Sequence, residues 1–422
     1  MKLSKTGYSH ISLPGDKSIA HRALILASFA KGKHQIDNFP INEDVLSTLK
    51  IFHNYGLKYK FINDKIMIDL SNLLFKDSII DCNESGTTAR LLIGYFSGLN
   101  KNVKIQGSST LLQRPMKRIV QPLKNCGVNI VSNNYQLPLK INKGTDLKSI
   151  DYNLDIPSAQ VKSGLILYAM SINGKSTLRG QIHTRDHLEN LLISLGYPIH
   201  VNEDKIEING GAKINKNIDM KIPGDFSSAS FIICIALLKR GCSIKINDVG
   251  INKYRIGFLE AAIQMGAKIN ISNKQIMYGE SIADISIDYS DNLRGIVIDK
   301  ISTVRMIDEI PILSVLACYA EGETVVHGIA ELKVKESNRV KSIIDNIQVM
   351  GGYAKLEDDS LVIKGKKKLH NTTIKSFDDH RIFMSFYIAN RLISEKVYYD
   401  MNDTSYNKSF PNFISMVEGI FA

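Results

Sequence analysis

Six stretches of the chain share one design, and that repetition limits the fold more than any other feature. Each opens with a polar motif, continues as an apolar run of helix length, and often turns through Gly or Lys into a β-rich segment. They read DKSIAHRALILASFAKGKHQI, ESGTTARLLIGYFSGLNKNVKI, PSAQVKSGLILYAMSINGKSTL, GDFSSASFIICIALLKRGCSIKI, IDEIPILSVLACYAEGETVVHG and DDHRIFMSFYIANRLISEKVYY. Their landmark residues Ser18, Gly86, Ser158, Ser227, Asp308 and Asp379 recur about every 70–80 residues, a spacing that marks an internal repeat.

The runs are apolar on nearly all faces, which predicts buried helices rather than amphipathic surface ones. Each opens with Ser, Asp or Gly, the residue types that cap helix N-termini. Short strand-like segments such as KIMIDL, VNIV and KIEING lie between them, separated by Asn/Gly turns. The expected fold is α/β (α+β), with six similar β-α units grouped as two domains of three. The break is expected near Pro223-Gly224, where PGD echoes Pro14-Gly15-Asp16. If the units are equivalent, all six polar motifs sit at the same ends of their helices. Helix N-termini carry partial positive charge and unpaired N–H groups, so several of them facing one cleft would trap anions. The plainer alternative is that each motif is only a cap.

Composition narrows the function. Of 422 residues, 44% are hydrophobic and 23% charged, which fits globular domains and not a disordered chain. The opening MKLSKTGYSH lacks a signal-like apolar run, and FIICIALL is far too short to span a membrane. A cytoplasmic protein with no membrane partner is expected. Five cysteines, with no CxxC or Cys/His cluster, argue against disulfides and zinc. The net charge of +11 suits anionic partners, either nucleic acid or small phosphates. The cations lie singly at the starts of apolar segments rather than in a patch, and the chain has no Trp, so nucleic acid is not expected.

The motifs carry the chemistry of anion handling. PGDKSIAHR sets Lys17, Ser18 and Arg22 within about one helical turn, a combination suited to phosphate or carboxylate. In ESGTTAR, Gly86 permits close approach to backbone, and Arg90 returns to its helix face. LLQRPMKR offers Arg114, PSAQVKS offers Ser158, Gln160 and Lys162, and TRDH offers Thr184 and Arg185. IDEIP holds Asp308 and Glu309, and KVKESNR holds Lys333, Lys335, Glu336 and Arg339. A carboxylate among cations can stay ionised or shuttle a proton. DDHR supplies Asp379, His380 and Arg381, and SYNKSFP supplies Lys408. Each motif alone could equally be a cap, a loop charge or a salt-bridged surface.

Taken in order, GDKSxxHRALxLA, SGTTxR, QRPM, SAQVKS, TRDH, PGDxSSA, IDExP, ELKVKExxR, DHR and KSFP resemble the EPSP synthases of the enolpyruvyl transferase family, over residues 14 to 411. The resemblance implies a two-domain inside-out α/β barrel. Its domains would be 14–222, and 1–13 with 223–422, with the active site in the cleft between them. It implies transfer of the carboxyvinyl group of phosphoenolpyruvate to the 5-hydroxyl of shikimate 3-phosphate, releasing phosphate, on the route to chorismate and the aromatic amino acids. No cofactor and no metal are implied, and a monomer is expected.

Roles carry over position by position. By resemblance, Lys17 touches both substrates and acts in catalysis, while Ser18 and Arg22 hold shikimate hydroxyls and carboxylate. Ser158, the Ala159 backbone, Thr184 and Arg185 take the 3-phosphate, and Lys335 joins the shikimate site. Gln160 bridges the substrates. Gly86, Arg114, Arg339, His380, Arg381 and Lys408 grip phosphoenolpyruvate, with Arg90 in support. Asp308 orients or deprotonates the 5-hydroxyl, and Glu336 exchanges a proton with the methylene carbon. Asp44 matches an acid that locks domain closure, which shikimate 3-phosphate is expected to drive. Glu84, Asn83 and Asn338 depart from the family pattern, as do Ala159 and Thr184 from some members; none of them removes a proposed catalytic group.

Two rival readings remain. A UDP-N-acetylglucosamine carboxyvinyltransferase would share the fold, but its usual loop Cys is absent from GSSTLLQRPMKR and its Lys-Asn start is Lys-Ser here. A non-catalytic basic protein binding nucleic acid or phosphorylated ligands would gain nothing from Asp308 and Glu336, which repel phosphate.

Overall fold

The computed structural model describes residues 8–366 and 368–422; the start of the chain, residues 1–7, lies outside them. The chain divides into two compact units. The first comprises Gly15–Ile222 with Met277–Glu280, and the second residues 8–14, Pro223–Ile276 and Ser281–Ala422.

The six repeated runs form helices α1 (Lys17–Ala30), α2 (Gly86–Gly98), α3 (Ala159–Ser171), α4 (Phe226–Leu238), α5 (Ile310–Tyr319) and α6 (His380–Arg391). Five start on a side-chain cap, from Asp16, Ser85, Ser158, Asp225 and Asp379. The two PGD motifs are conformational twins, with Asp16 and Asp225 in matching extended backbone. The fifth helix differs. Asp308 and Glu309 precede it, no side chain caps it, and Pro311 occupies its first turn, where a missing N–H costs nothing. As their sequences predict, the helices are buried all round: in α4 every residue from Phe226 to Leu237 is buried.

Among the described residues, five four-stranded sheets on one plan lie around them. In the first unit, Ser78–Asp81 runs parallel to Val103–Gln106, which pairs antiparallel with Leu139–Asn142, and that with Asn129–Ser132. The long helix α2 joins the two parallel strands. The same order recurs around α3 and, in the second unit, around α5. Around α1 the leading parallel strand is instead Met220–Lys221, in register Met220 with Ile36. Around α4 it is Ser9–Ile11, with Ser9 opposite Ile244. The sixth unit is abbreviated. Among the described residues α6 is flanked by a single parallel bridge, Thr373 to Tyr398, where the sequence pattern predicted a β-rich segment.

KIMIDL and KIEING form strands as expected, as does the segment containing VNIV. Glycine sets the close contact between α2 and α3. A Cβ on Gly94 of α2 would lie 1.9 Å from the Gly164 carbonyl oxygen of α3, so only glycine lets these backbones meet. All five cysteines are free, and burial pushes the Cys126 thiol up to about 11. No helix among the described residues is long and apolar enough to cross a membrane.

Candidate active site

In the first unit, the starts of α1, α2 and α3 each deliver polar groups. Lys17 is the first residue of α1, and its Nζ lies 2.7 Å from Asp44 Oδ2. Asp44 stands in the first turn of the helix Glu43–Asn54, capped by Asn42. Arg22, one turn beyond Ser18, donates to the Ser18 carbonyl at 2.8 Å. Its Nε and Nη2 donate to Ser163 Oγ at 3.1 and 2.9 Å, and Nη2 reaches the Ala159 carbonyl at 3.3 Å. Arg22 therefore ties α1 to α3 and is only 2% exposed. Burial pushes its guanidinium down to about 10, with Glu189 and Asp16 pulling it back up, so it stays charged at neutral pH.

Two guanidinium groups converge on Gly86. A Cβ there would lie 2.6 Å from Arg114 Nη1 and 3.0 Å from Arg90 Nη1. Arg90 donates to the Gly86 carbonyl at 3.3 Å, to Gln160 Oε1 at 2.8 Å and to the Pro115 carbonyl at 3.2 Å. Gln160 in turn donates to Thr87 Oγ1 at 2.9 Å, which fixes its amide. Arg114 Nε is buried with no hydrogen-bond acceptor among the described residues. Two cations this close, with an open donor, make a site that favours an anion. Glu84 does not intrude, because its carboxylate accepts from Ser108 and Thr110.

Ser158 caps α3, and Ala159 is its first residue. Thr184 is buried and Arg185 half-buried, on the loop that enters the helix His187–Ser194. Lys162 is not a surface cation. It is 1% exposed, with its Nζ 2.9 Å from the carbonyls of Ile182 and Thr184 and 2.6 Å from Glu189.

Behind Lys17 runs a buried chain of hydroxyls. His21 Nδ1 lies 2.8 Å from Thr48 Oγ1, which lies 2.8 Å from Thr88 Oγ1, and Thr88 donates to the Ser85 cap at 2.7 Å. Burial pushes His21 down from 6.5 to about 3, so it is neutral at pH 7. The unfolded chain takes up this proton near pH 6.5 and the folded chain refuses it until about 3. The stability His21 confers is whole above pH 6.5 and is lost as pH falls from there toward 3, by up to about 1.4 kcal/mol per pH unit. Denaturant unfolding from pH 7 to 4 is expected to show this slope, and His21→Gln to flatten it; an unchanged slope in the variant would count against the assignment.

In the second unit one acid sits among four cations. Asp308 Oδ1 lies 3.2 Å from Arg339 Nη1 and 3.9 Å from Lys335 Nζ, and Oδ2 lies 3.8 Å from Arg255 Nη1 and 3.9 Å from Arg381 Nη2. Glu336 Oε2 is 2.6 Å from His380 Nδ1, and its Oε1 is 3.8 Å from Arg339. Arg339, 1% exposed, donates to Asp379 at 2.7 and 3.3 Å. Burial alone would lower the Arg339 guanidinium, but Asp379, Glu336 and Asp308 outweigh it and hold it raised. Arg381 donates to the Asp308 carbonyl at 3.1 Å, and Lys408 to that of Asp378 at 3.1 Å. KVKESNR, compatible with a surface helix in sequence, is a 3-10 turn over Ala330–Val334 and then a loop; Arg339 begins the next helix, capped by Asn338.

Glu336, Asp379 and His380 form the one cluster among the described residues with metal-ligand geometry. Asp379 is already bonded to Arg339, to the Arg381 N–H and to Ser337, so positive charge is supplied without an ion.

Arg255 escaped sequence reasoning. It donates to Asp225 at 3.0 Å and to Ser227 at 2.8 Å, and Ser227 donates to the buried Glu309. The second PGD motif pointed to Asp225, but Arg255 sits in INKYRIG, which carries no pattern of its own.

The profile of the EPSP synthase (3-phosphoshikimate 1-carboxyvinyltransferase) family matches residues 5–417. The chain belongs to the EPSP synthase family. Among its relatives, the 3-phosphoshikimate 1-carboxyvinyltransferase of Oceanobacillus iheyensis is 38% identical over 99% of this chain and 98% of its own length. That of Clostridium tetani is 38% identical over 97% and 93%. The solved EPSP synthase of Acinetobacter baumannii superposes with a TM-score of 0.86 at 34% identity, covering 98% of this chain and 95% of that one. The enolpyruvyl transferase NikO of Streptomyces tendae, at 15% identity and a TM-score of 0.76, shares the fold.

Proposed function

We propose that this chain transfers the carboxyvinyl group of phosphoenolpyruvate to the 5-hydroxyl of shikimate 3-phosphate, yielding 5-enolpyruvylshikimate 3-phosphate and phosphate on the shikimate route. The observation that carries this reading is the pair of acids, Asp308 and Glu336, set among Lys335, Arg339, Arg381 and His380. A protein that merely bound phosphate would gain nothing from carboxylates there.

The chemistry needs two proton-handling groups and a dense positive field. Asp308 takes the proton of the 5-hydroxyl as its oxygen bonds to C2 of phosphoenolpyruvate, and Glu336 delivers a proton to C3. In the second step the C3 methyl gives up one of its protons to Glu336, the C2–C3 double bond re-forms, and the bond to the phosphate oxygen breaks as the leaving phosphate takes the proton held by Asp308. Lys17, Arg114, Arg339, Arg381 and Lys408, with the Gly86 backbone and Arg90 behind it, would balance the phosphate and carboxylate of phosphoenolpyruvate. Ser18, Arg22, Ser158, Ala159, Gln160, Thr184 and Arg185 would hold shikimate 3-phosphate. Each unit carries part of this set. We further propose a cytoplasmic monomer that needs neither metal nor organic cofactor.

Phosphate release tests the proposal. It should require both substrates together, and omission of either should reduce it to background. Release from phosphoenolpyruvate alone, or none with folded protein and both substrates, would refute it.

A further inference from the structure

We propose that Lys162 is a positioning residue that builds the seat for the phosphate of shikimate 3-phosphate; the inference rests on the function proposed above and adds a residue that never touches substrate. Sequence reasoning placed Lys162 inside a binding motif, yet its ammonium is buried and points into the unit. It donates to two carbonyls of one loop, those of Ile182 and Thr184, at 2.9 Å each, and pairs with Glu189 at 2.6 Å. Two of the ammonium's three donors are spent on these carbonyls, and the Glu189 carboxylate balances its charge as a buried ion pair.

The geometry gives this anchoring a consequence. Carbonyls two residues apart meet one cation only if the chain folds back on itself, and it does, with the Thr184 N–H donating to the Ile182 carbonyl at 2.8 Å. In a trans peptide the N–H opposes the C=O. With both carbonyls on Lys162, the N–H groups of His183 and Arg185 point away from the ammonium, the arrangement by which successive amides cradle anions. Thr184 and Arg185, the candidate phosphate ligands, ride on this loop. Glu189, on the next helix, supplies the charge opposite to Lys162, so the pair orders the loop while adding no net charge to it.

The test separates positioning from general stability. In Lys162→Met/Glu189→Leu both buried charges are removed together, and folding is followed by thermal unfolding. Calorimetry should show affinity for shikimate 3-phosphate falling about tenfold or more (~1.4 kcal/mol), with affinity for shikimate, which lacks the phosphate, changing less than about twofold. Glu189→Gln, a milder change that leaves both carbonyl bonds possible, should show the same split at about threefold should the double variant not fold. Equal losses for both ligands, or unchanged affinity for the phosphate ester, would overturn the inference. Wild-type protein that does not bind shikimate 3-phosphate would overturn it together with the function it rests on; wild-type binding matched by an unaffected variant would overturn the inference alone.

Discussion

Glu336→Gln should lower kcat by about 100- to 10,000-fold, the usual worth of a general acid–base group, while leaving thermal stability and phosphoenolpyruvate binding nearly intact. Glu336 is the acid of the second unit best arranged to exchange a proton: it is part-exposed, and His380 Nδ1 lies 2.6 Å from it as a partner in either protonation state. The amide keeps the shape and the contact with His380 but carries no exchangeable acid proton. Incorporation of solvent deuterium at C3 of phosphoenolpyruvate, measured with shikimate 3-phosphate present, should fall with kcat. A variant that kept more than about a tenth of the wild-type rate would remove Glu336 from this role.

Arg339→Met should act on the fold as strongly as on the reaction, destabilising the second unit by about 3–5 kcal/mol, the range for breaking a buried pair by removing one partner. Asp379 is fully buried and also caps α6, so losing its guanidinium leaves a carboxylate with nothing but N–H and hydroxyl donors. Asp308 loses its nearest cation at the same time. Lys335→Met should behave differently. Lys335 is 25% exposed at the side chain and 3.9 Å from Asp308, so its removal should weaken shikimate 3-phosphate binding with under about 1 kcal/mol of stability change. Denaturant unfolding of both variants checks the contrast, and equal losses would contradict it.

Much of this architecture is legible in the residues because local and global signals agree. A cap residue ahead of an apolar run located five of the six helix starts to within a residue or two, and their all-round apolarity announced burial. The fifth misled by two residues, since Asp308 looks like a cap but Pro311 fits only the first turn of a helix that starts later. That the described residues form no sixth sheet was not legible, because VYY reads as strand whether or not a partner exists, and pairing is a tertiary property. The site followed the same division. Motif residues such as Asp308, Glu336 and Arg339 were visible because cations and acids alternate at helix starts. Arg255 and the inward turn of Lys162 were not, since a lone Arg in a loop and a Lys on a helix have no periodic signature of burial.

The most direct measurement is the identity of the product. Incubating the protein with phosphoenolpyruvate and offering shikimate 3-phosphate or UDP-N-acetylglucosamine in parallel, with mass spectrometry of each mixture, asks which hydroxyl receives the carboxyvinyl group. The account predicts an enol ether of shikimate 3-phosphate, phosphate in equal amount, and no adduct of the nucleotide sugar. An adduct of UDP-N-acetylglucosamine, or shikimate 3-phosphate recovered unchanged from folded protein, would contradict it.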